Sequence, residues 1–345
     1  MKEKLIALRP YLLRFVGYPA FFMFWFVTFI YFTFPYDRLK ETIVSAVEAP
    51  RRAAGGLMQP SNIQMSIGDL GPTILPGVRA RNVSVTFLPT KVGEHPITMR
   101  MNSVTTHIGI FSLIGGHLAA DLDVDGMGGT VEAHIDQTYR GTRPGLRDAK
   151  VNLSHVRVGE LAPLVQLVGL PMSGTMDGAI ELHVPDGRFD QASGSVRMTI
   201  DGLTIGDGHA QYQIPRFGGV TIEQIRAGRL DGAITIREGV ATIDRFTSRS
   251  NEFNFAMDGR VQLQPILGDS TMNAGVRFQL TDAYRHKSET AGRIMSVMDI
   301  VPDLQQARRP DGMLGFRCRG NFSRGLTCPP DRGGAAGGAT ARPPR

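Results

Sequence analysis

The stretch DLDVDGMGGTVE carries Asp121, Asp123, Asp125, Gly126 and Glu132. That is the D-x-D-x-D-G-x5-E spacing with which a helix–loop–helix site surrounds calcium by alternate oxygen ligands. Read alone, it points to calcium. Its surroundings argue otherwise, because such a loop needs an amphipathic helix on either side. Here Gly115 and Gly116 precede it, Arg140-Gly141-Thr142-Arg143-Pro144-Gly145 follows closely, and Gly128 stands where a branched apolar residue is usual. The competing reading is a hairpin: Leu122 and Val124 point inward, the aspartates face water, and Gly126 to Gly129 turn the chain into Val131, Ala133 and Ile135. We adopt the hairpin, and with it expect no metal.

Other chemistries find less support. The two cysteines, Cys318 and Cys328, exclude a four-sulfur metal site but leave two options, a small-loop disulfide or a pair of free thiols. None of the eight histidines forms H-x-x-x-H or H-E-x-x-H. There is no G-x-S-x-G, no phosphate-binding G-x-x-x-x-G-K-[ST], and no dinucleotide fingerprint between a strand and a helix. No paired base and nucleophile can be named, so the chain reads as a non-enzyme without a cofactor. A net charge of +6 raises the question of nucleic acid, but the basic residues are dispersed and no stripe interleaved with aromatics exists. Nucleic acid is therefore not an expected partner. Asn82, Asn152 and Asn321 lie in glycosylation sequons, which recur by chance.

The elements that must position these residues are mostly strands. Apolar residues alternate with polar ones at Val83, Val85 and Phe87, at Ile180 and Leu182, at Val196, Met198 and Ile200, and at Ile234 and Ile236. The same period of two marks Phe253, Phe255 and Met257, then Met272, Ala274, Val276, Phe278 and Leu280. Alternation means one wet and one buried face, and antiparallel connections fit because most gaps are far shorter than a parallel crossover needs. The 41 glycines and 21 prolines suit the many turns required. Two breaks read as helices, one holding Leu161, Leu164, Val165 and Val168, the other running from Tyr284 to Met298. The fold expected is mainly β: a large antiparallel, curved sheet, U-shaped or sandwich-like, with a few capping helices. Few helices are available to cover its apolar face. Either the sheet closes into a dry sandwich, or it forms a trough in which Phe253, Phe255, Met257, Val276 and Phe278 line an apolar groove for acyl chains.

Ahead of the strands, FVGYPAFFMFWFVTFIYFTF spans residues 15–34 without a charge. Its length matches a hydrocarbon core of about 30 Å, so it reads as an uncleaved transmembrane helix, kinked near Pro19. Lys2, Lys4, Arg9 and Arg14 precede it, while the charges just after it nearly cancel, which sets residues 1–14 in the cytoplasm. Leu39, Ile43, Val44 and Val47 then define an amphipathic helix within a juxtamembrane segment, residues 35–59. Residues 60–328 form the β domain, with a last strand near Gly315 to Phe322. The tail, 329–345, lacks apolar residues and is expected to be disordered.

YFTFPYDRLK at the exit of the apolar segment, FSLIGGHL, DGMGGTVEAHID, LAPLVQLVGLPMSGTMDGAIEL, GRLDGAITIREGVATIDRF and MDGRVQLQP resemble the type II secretion system protein N family over most of Tyr31 to Pro329. The resemblance implies a single-pass inner-membrane protein with its bulk in the periplasm, an accessory to protein export with other secretion-system proteins as partners. MSGTMDGAI and DGAITI also resemble the AsmA-like proteins. That likeness implies curved sheets holding phospholipid between two membranes.

Overall fold

The computed structural model describes residues 13–52, 58–59, 61–73, 76–88, 96–109, 112, 115–138, 145–162, 164–165, 169–209, 211–214, 218–221 and 223–331. A π-helical turn, Leu13–Gly17, runs into helix α1 (Tyr18–Thr33), and helix α2 follows (Tyr36–Glu48). A two-residue ladder pairs β1 (Arg51–Arg52) with β2 (Met58–Gln59). The next strands are β3 (Ile63–Pro72), β4 (Gly77–Phe87), β5 (Ile97–Ile108), β6 (His117–Gly126), β7 (Gly129–Thr138), β8 (Gly145–Arg157), β9 (Met172–His183) and β10 (Ser193–Ile205). A side hairpin of β11 (Gln211–Ile214) and β12 (Gly218–Thr221) precedes β13 (Ile225–Arg237), β14 (Val240–Arg249), β15 (Phe253–Gln262) and β16 (Thr271–Leu280). Helices α3 (Asp282–Arg285), α4 (Glu289–Ile300) and α5 (Pro302–Gln306) come before β17 (Leu314–Asn321) and β18 (Gly325–Thr327).

Fourteen of these strands make one antiparallel sheet in chain order, β3 to β10 and then β13 to β18. At about 4.8 Å per strand it extends roughly 60 Å along the hydrogen-bonding direction. It is a meander: neighbouring strands follow one another in the chain, β10 being joined to β13 past the side hairpin, and the shortest links are tight reversals. Met127 and Gly128 (φ 53° and 77°) join β6 to β7, and Glu238 and Gly239 (φ 47° and 72°) join β13 to β14. These are left-handed two-residue turns whose twist suits a hairpin. The outer strands β3 and β18 do not pair, so the sheet is open rather than a sandwich.

Both edges are protected. Ile43 and Val44 of α2 pack on Ile67, Ala80 and Val83. The same helix reaches the backbone of β3, where Lys40 Nζ donates to the Gly68 carbonyl (2.7 Å) and Met65 N–H donates to Glu48 (2.9 Å). At the far edge β18 has three residues, followed by a disulfide between Cys318 and Cys328, with Cα atoms 4.0 Å apart. Short or covered edges resist pairing with other chains.

Several boundaries differ from expectation. No helix among the described residues is long and apolar enough to cross a membrane. The α-helix expected over 15–34 has 16 residues, about 24 Å. Pro19 sits in its first turn, just after the π-helical turn, and extended Phe34 before Pro35 ends it. The amphipathic helix stops at Glu48, ahead of Pro50. A strand, β18, follows the one expected to be last. Pro330 pairs with Phe316 and Asp331 with Arg317, so the tail is ordered through Asp331. Residues 332–345, Lys2, Lys4, Arg9 and Val168 lie outside the described residues.

Candidate functional site

The register of the sheet sorts side chains into rows that cross many strands. One row of direct partners runs Leu122, Ala133, Val151, Ile180, Val196, Ile234, Ile243, Gly259, Ala274, Cys318, from β6 to β17. A row on the opposite face runs His107, Asp121, His134, Lys150, Glu181, Ser195, Thr235, Thr242, Arg260, Asn273, Arg319. The first carries no ionisable group and the second no apolar one. The period-two pattern of each strand, held in register by tight turns, therefore adds up to one apolar and one polar face.

The two ends of the apolar face are covered. At one, Tyr284 and Ala291 of the α3–α4 segment, with Leu161 and Leu164, pack on Met176, Ile200, Leu230 and Phe253. At the other, Val184, Ala192 and Phe189 close over Ile236, Ala241 and Leu263. Between these ends no second layer covers the stretch from β7 to β13 among the described residues, whereas Ile243, Ala274 and Cys318, further along the row, are buried. Ala133, Val151, Ile180, Val196 and Ile234 are each only half-buried. A sheet normally buries such a face against a second layer.

The five residues expected to line a groove divide between these zones. Phe253, Phe255 and Phe278 belong to the covered end. Phe253 and Phe255 stack at 6.3 Å, and Phe278 stacks on Phe316 at 5.9 Å, so they act as core under the α4 cap. Met257 and Val276 lie further along, directly paired with each other and then with Phe316, and are half-buried.

A polar latch holds the cap. Lys287 Nζ lies 2.9 Å from Glu252 and donates to the Gln224 carbonyl at 2.7 Å, while Tyr284 donates to the Glu223 carbonyl at 3.1 Å. Ser288 caps α4 through the Ala291 N–H and also bonds the Glu223 carboxylate. Burial works to raise the Glu252 carboxyl, but the N–H of Arg226 and the Lys287 ammonium outweigh it, leaving the group below its ordinary range. Burial, aided by the charges of Glu223 and Glu252, pushes the Tyr284 hydroxyl up to about 12. The latch joins residues 35 positions apart, and no sequence motif marks it.

Asp121, Asp123 and Asp125 alternate along the polar face of β6, with Glu132 opposite Asp123 on β7. Residues two apart on a strand are separated by about 6.7 Å, too far for three such carboxylates to surround one ion with ligands at 2.3–2.6 Å. Asp121 instead meets His134 at 2.6 Å, and Asp148 likewise meets His183 at 2.6 Å. Such cross-strand pairs belong to a solvated sheet face.

Around α1 the apolar side chains are open. Phe15, Phe22 and Phe29 are about 70% exposed, and Trp25, on another side of the turn, is 55% exposed. No protein-family model, curated protein or solved structure matches the chain.

Proposed function

We propose that this chain is a membrane-anchored protein that holds phospholipid acyl chains along the open apolar face of its sheet. The observation that carries the reading is the apolar row that runs unbroken from Leu122 to Cys318 and is only half-buried from Leu122 to Ile234. Each methylene kept from water is worth about 0.8 kcal/mol. A face of this kind substitutes for the bilayer interior, so transfer between the two is close to balanced, which suits a carrier.

The anchor rests on the π-helical turn and α1 taken together, Leu13 to Thr33, with exposed aromatic side chains and no charge after Arg14. The disulfide supports an oxidising compartment, and the basic N-terminus a cytoplasmic start. Both agree with a single-pass inner-membrane protein whose sheet lies in the periplasm. The experiment is purification of the full chain in mild detergent, organic extraction and mass spectrometry. Phospholipid should exceed that carried by an unrelated single-span protein; an equal ratio would reject the reading.

A second reading is a docking component of a type II secretion assembly. It draws on the resemblance already described and on the exposed charged rows of the polar face, such as Lys150 and Glu181. Here the partners would be proteins. Pull-down in mild detergent should enrich secretion components over a single-span control, and no enrichment would count against it.

A further inference from the structure

We propose that a cleft on the polar face of β3–β5 binds a phosphate group, either a phospholipid headgroup or free phosphate, through Arg79, Arg81 and His107. The cleft encloses about 460 Å³ beside the outer strand, and Asp69 is the carboxylate that lines it. Arg79 and Arg81 project from the same face of β4, two residues and so about 6.7 Å apart. His107 stands on β5 opposite Gly77, diagonal to Arg79.

Both arginines have donor capacity left over. Arg79 spends its Nε on Thr105 Oγ1 at 3.0 Å, which orients the guanidinium, and its terminal amines have no partner among the described residues. Asp69 is the register partner of Arg81, yet neither arginine makes an ion pair among the described residues. His107 lines the cleft with its ring, and its buried Nδ1 has no hydrogen-bond partner among the described residues. A phosphate presents several acceptor oxygens to such a set, and charge-assisted bonds to arginine are the strong kind.

Arg79 and His107 also border a smaller cleft of about 260 Å³ that holds Asp123, Asp125 and Glu132. These carboxylates would repel an extended polyanion, so the fit is to a single phosphate. The place suggests its source. Gly68, next to Asp69, accepts from Lys40 of α2, and α2 begins three residues after α1 ends. If α1 is inserted, as the proposed function holds, the cleft stands near the headgroups; only the choice of source rests on that reading.

The test is calorimetric titration of the full chain in nonionic detergent with dihexanoyl phosphatidylglycerol and, separately, with sodium phosphate. The variants are Arg79→Gln/Arg81→Gln and His107→Gln, with thermal unfolding as the check on fold. Saturable binding should weaken at least tenfold in the arginine double variant. Tighter binding of the lipid than of phosphate supports the headgroup, and equal binding supports free phosphate at the same site. No saturable heat from either ligand, or equal affinity in the folded double variant, would overturn the proposal. Copurified lipid reads the apolar face and this titration reads the polar cleft, so one can fail without the other.

Discussion

Val196→Asp puts a carboxylate into the middle of the apolar face. Val196 is half-buried between its register partners Ile180 and Ile234, so in the empty face the new charge still reaches water. The loss of stability should be about 1–2 kcal/mol. Once an acyl chain lies over the row, the carboxylate loses that water, and the effective penalty for a charge is several kcal/mol. Taking about 3 kcal/mol, at 1.4 kcal/mol per factor of ten, affinity should fall roughly hundredfold. Arg197→Asp, one residue away on the polar face, is the matched control and should leave lipid unchanged. The assay is the phospholipid-to-protein ratio after identical purification, with thermal unfolding confirming the fold. A folded Val196→Asp protein that keeps the wild-type ratio would mean that acyl chains do not lie over this row.

Removing the bridge by Cys318→Ser/Cys328→Ser should cost about 2–3 kcal/mol, the loop-closure entropy for a sequence separation of 10, read as a lower urea midpoint that reductant no longer shifts. Lys287→Met strands the Glu252 carboxylate beneath the cap and should cost roughly 2 kcal/mol by the same assay. Because the folded Glu252 lies below its ordinary value of 4.5, its contribution is complete above that pH and is lost as pH falls through the folded value; Lys287→Met should flatten that acid limb of stability. Gly239→Ala meets both a φ of 72° and a Cβ only 2.2 Å from the Asp190 carbonyl oxygen, so a loss above about 2 kcal/mol is expected in thermal unfolding. Calcium titrated calorimetrically into the full chain should give no saturable heat, and an isotherm abolished by Asp121→Ala would contradict the hairpin.

The antiparallel β architecture was legible because alternation at positions such as Val196, Met198 and Ile200 repeats in strand after strand between short turns. The hairpin at Met127 and Gly128 was legible from its glycines and the alternation on either side. Whether the sheet closed was not, because closure depends on twist and register summed over fourteen strands, which no local pattern encodes. For the same reason Phe253, Phe255 and Phe278 could be assigned to the apolar face but not to its covered end: the helix that covers them comes after all three in the chain and is held by Lys287 and Glu252. The state of Cys318 and Cys328 also waited on register, since Arg319 pairs with Thr327 and sets the two cysteines side by side.

Whether acyl chains lie on the open apolar face can be read by photo-cross-linking the full chain in detergent with a diazirine-acyl phospholipid and mapping the adducts by peptide mass spectrometry. Adducts are expected on the apolar row at Val151, Ile180 and Val196 and none at Lys150, Glu181 or Arg197 on the other side of the same strands. Adducts confined to α1, or spread equally over both faces, would contradict that placement.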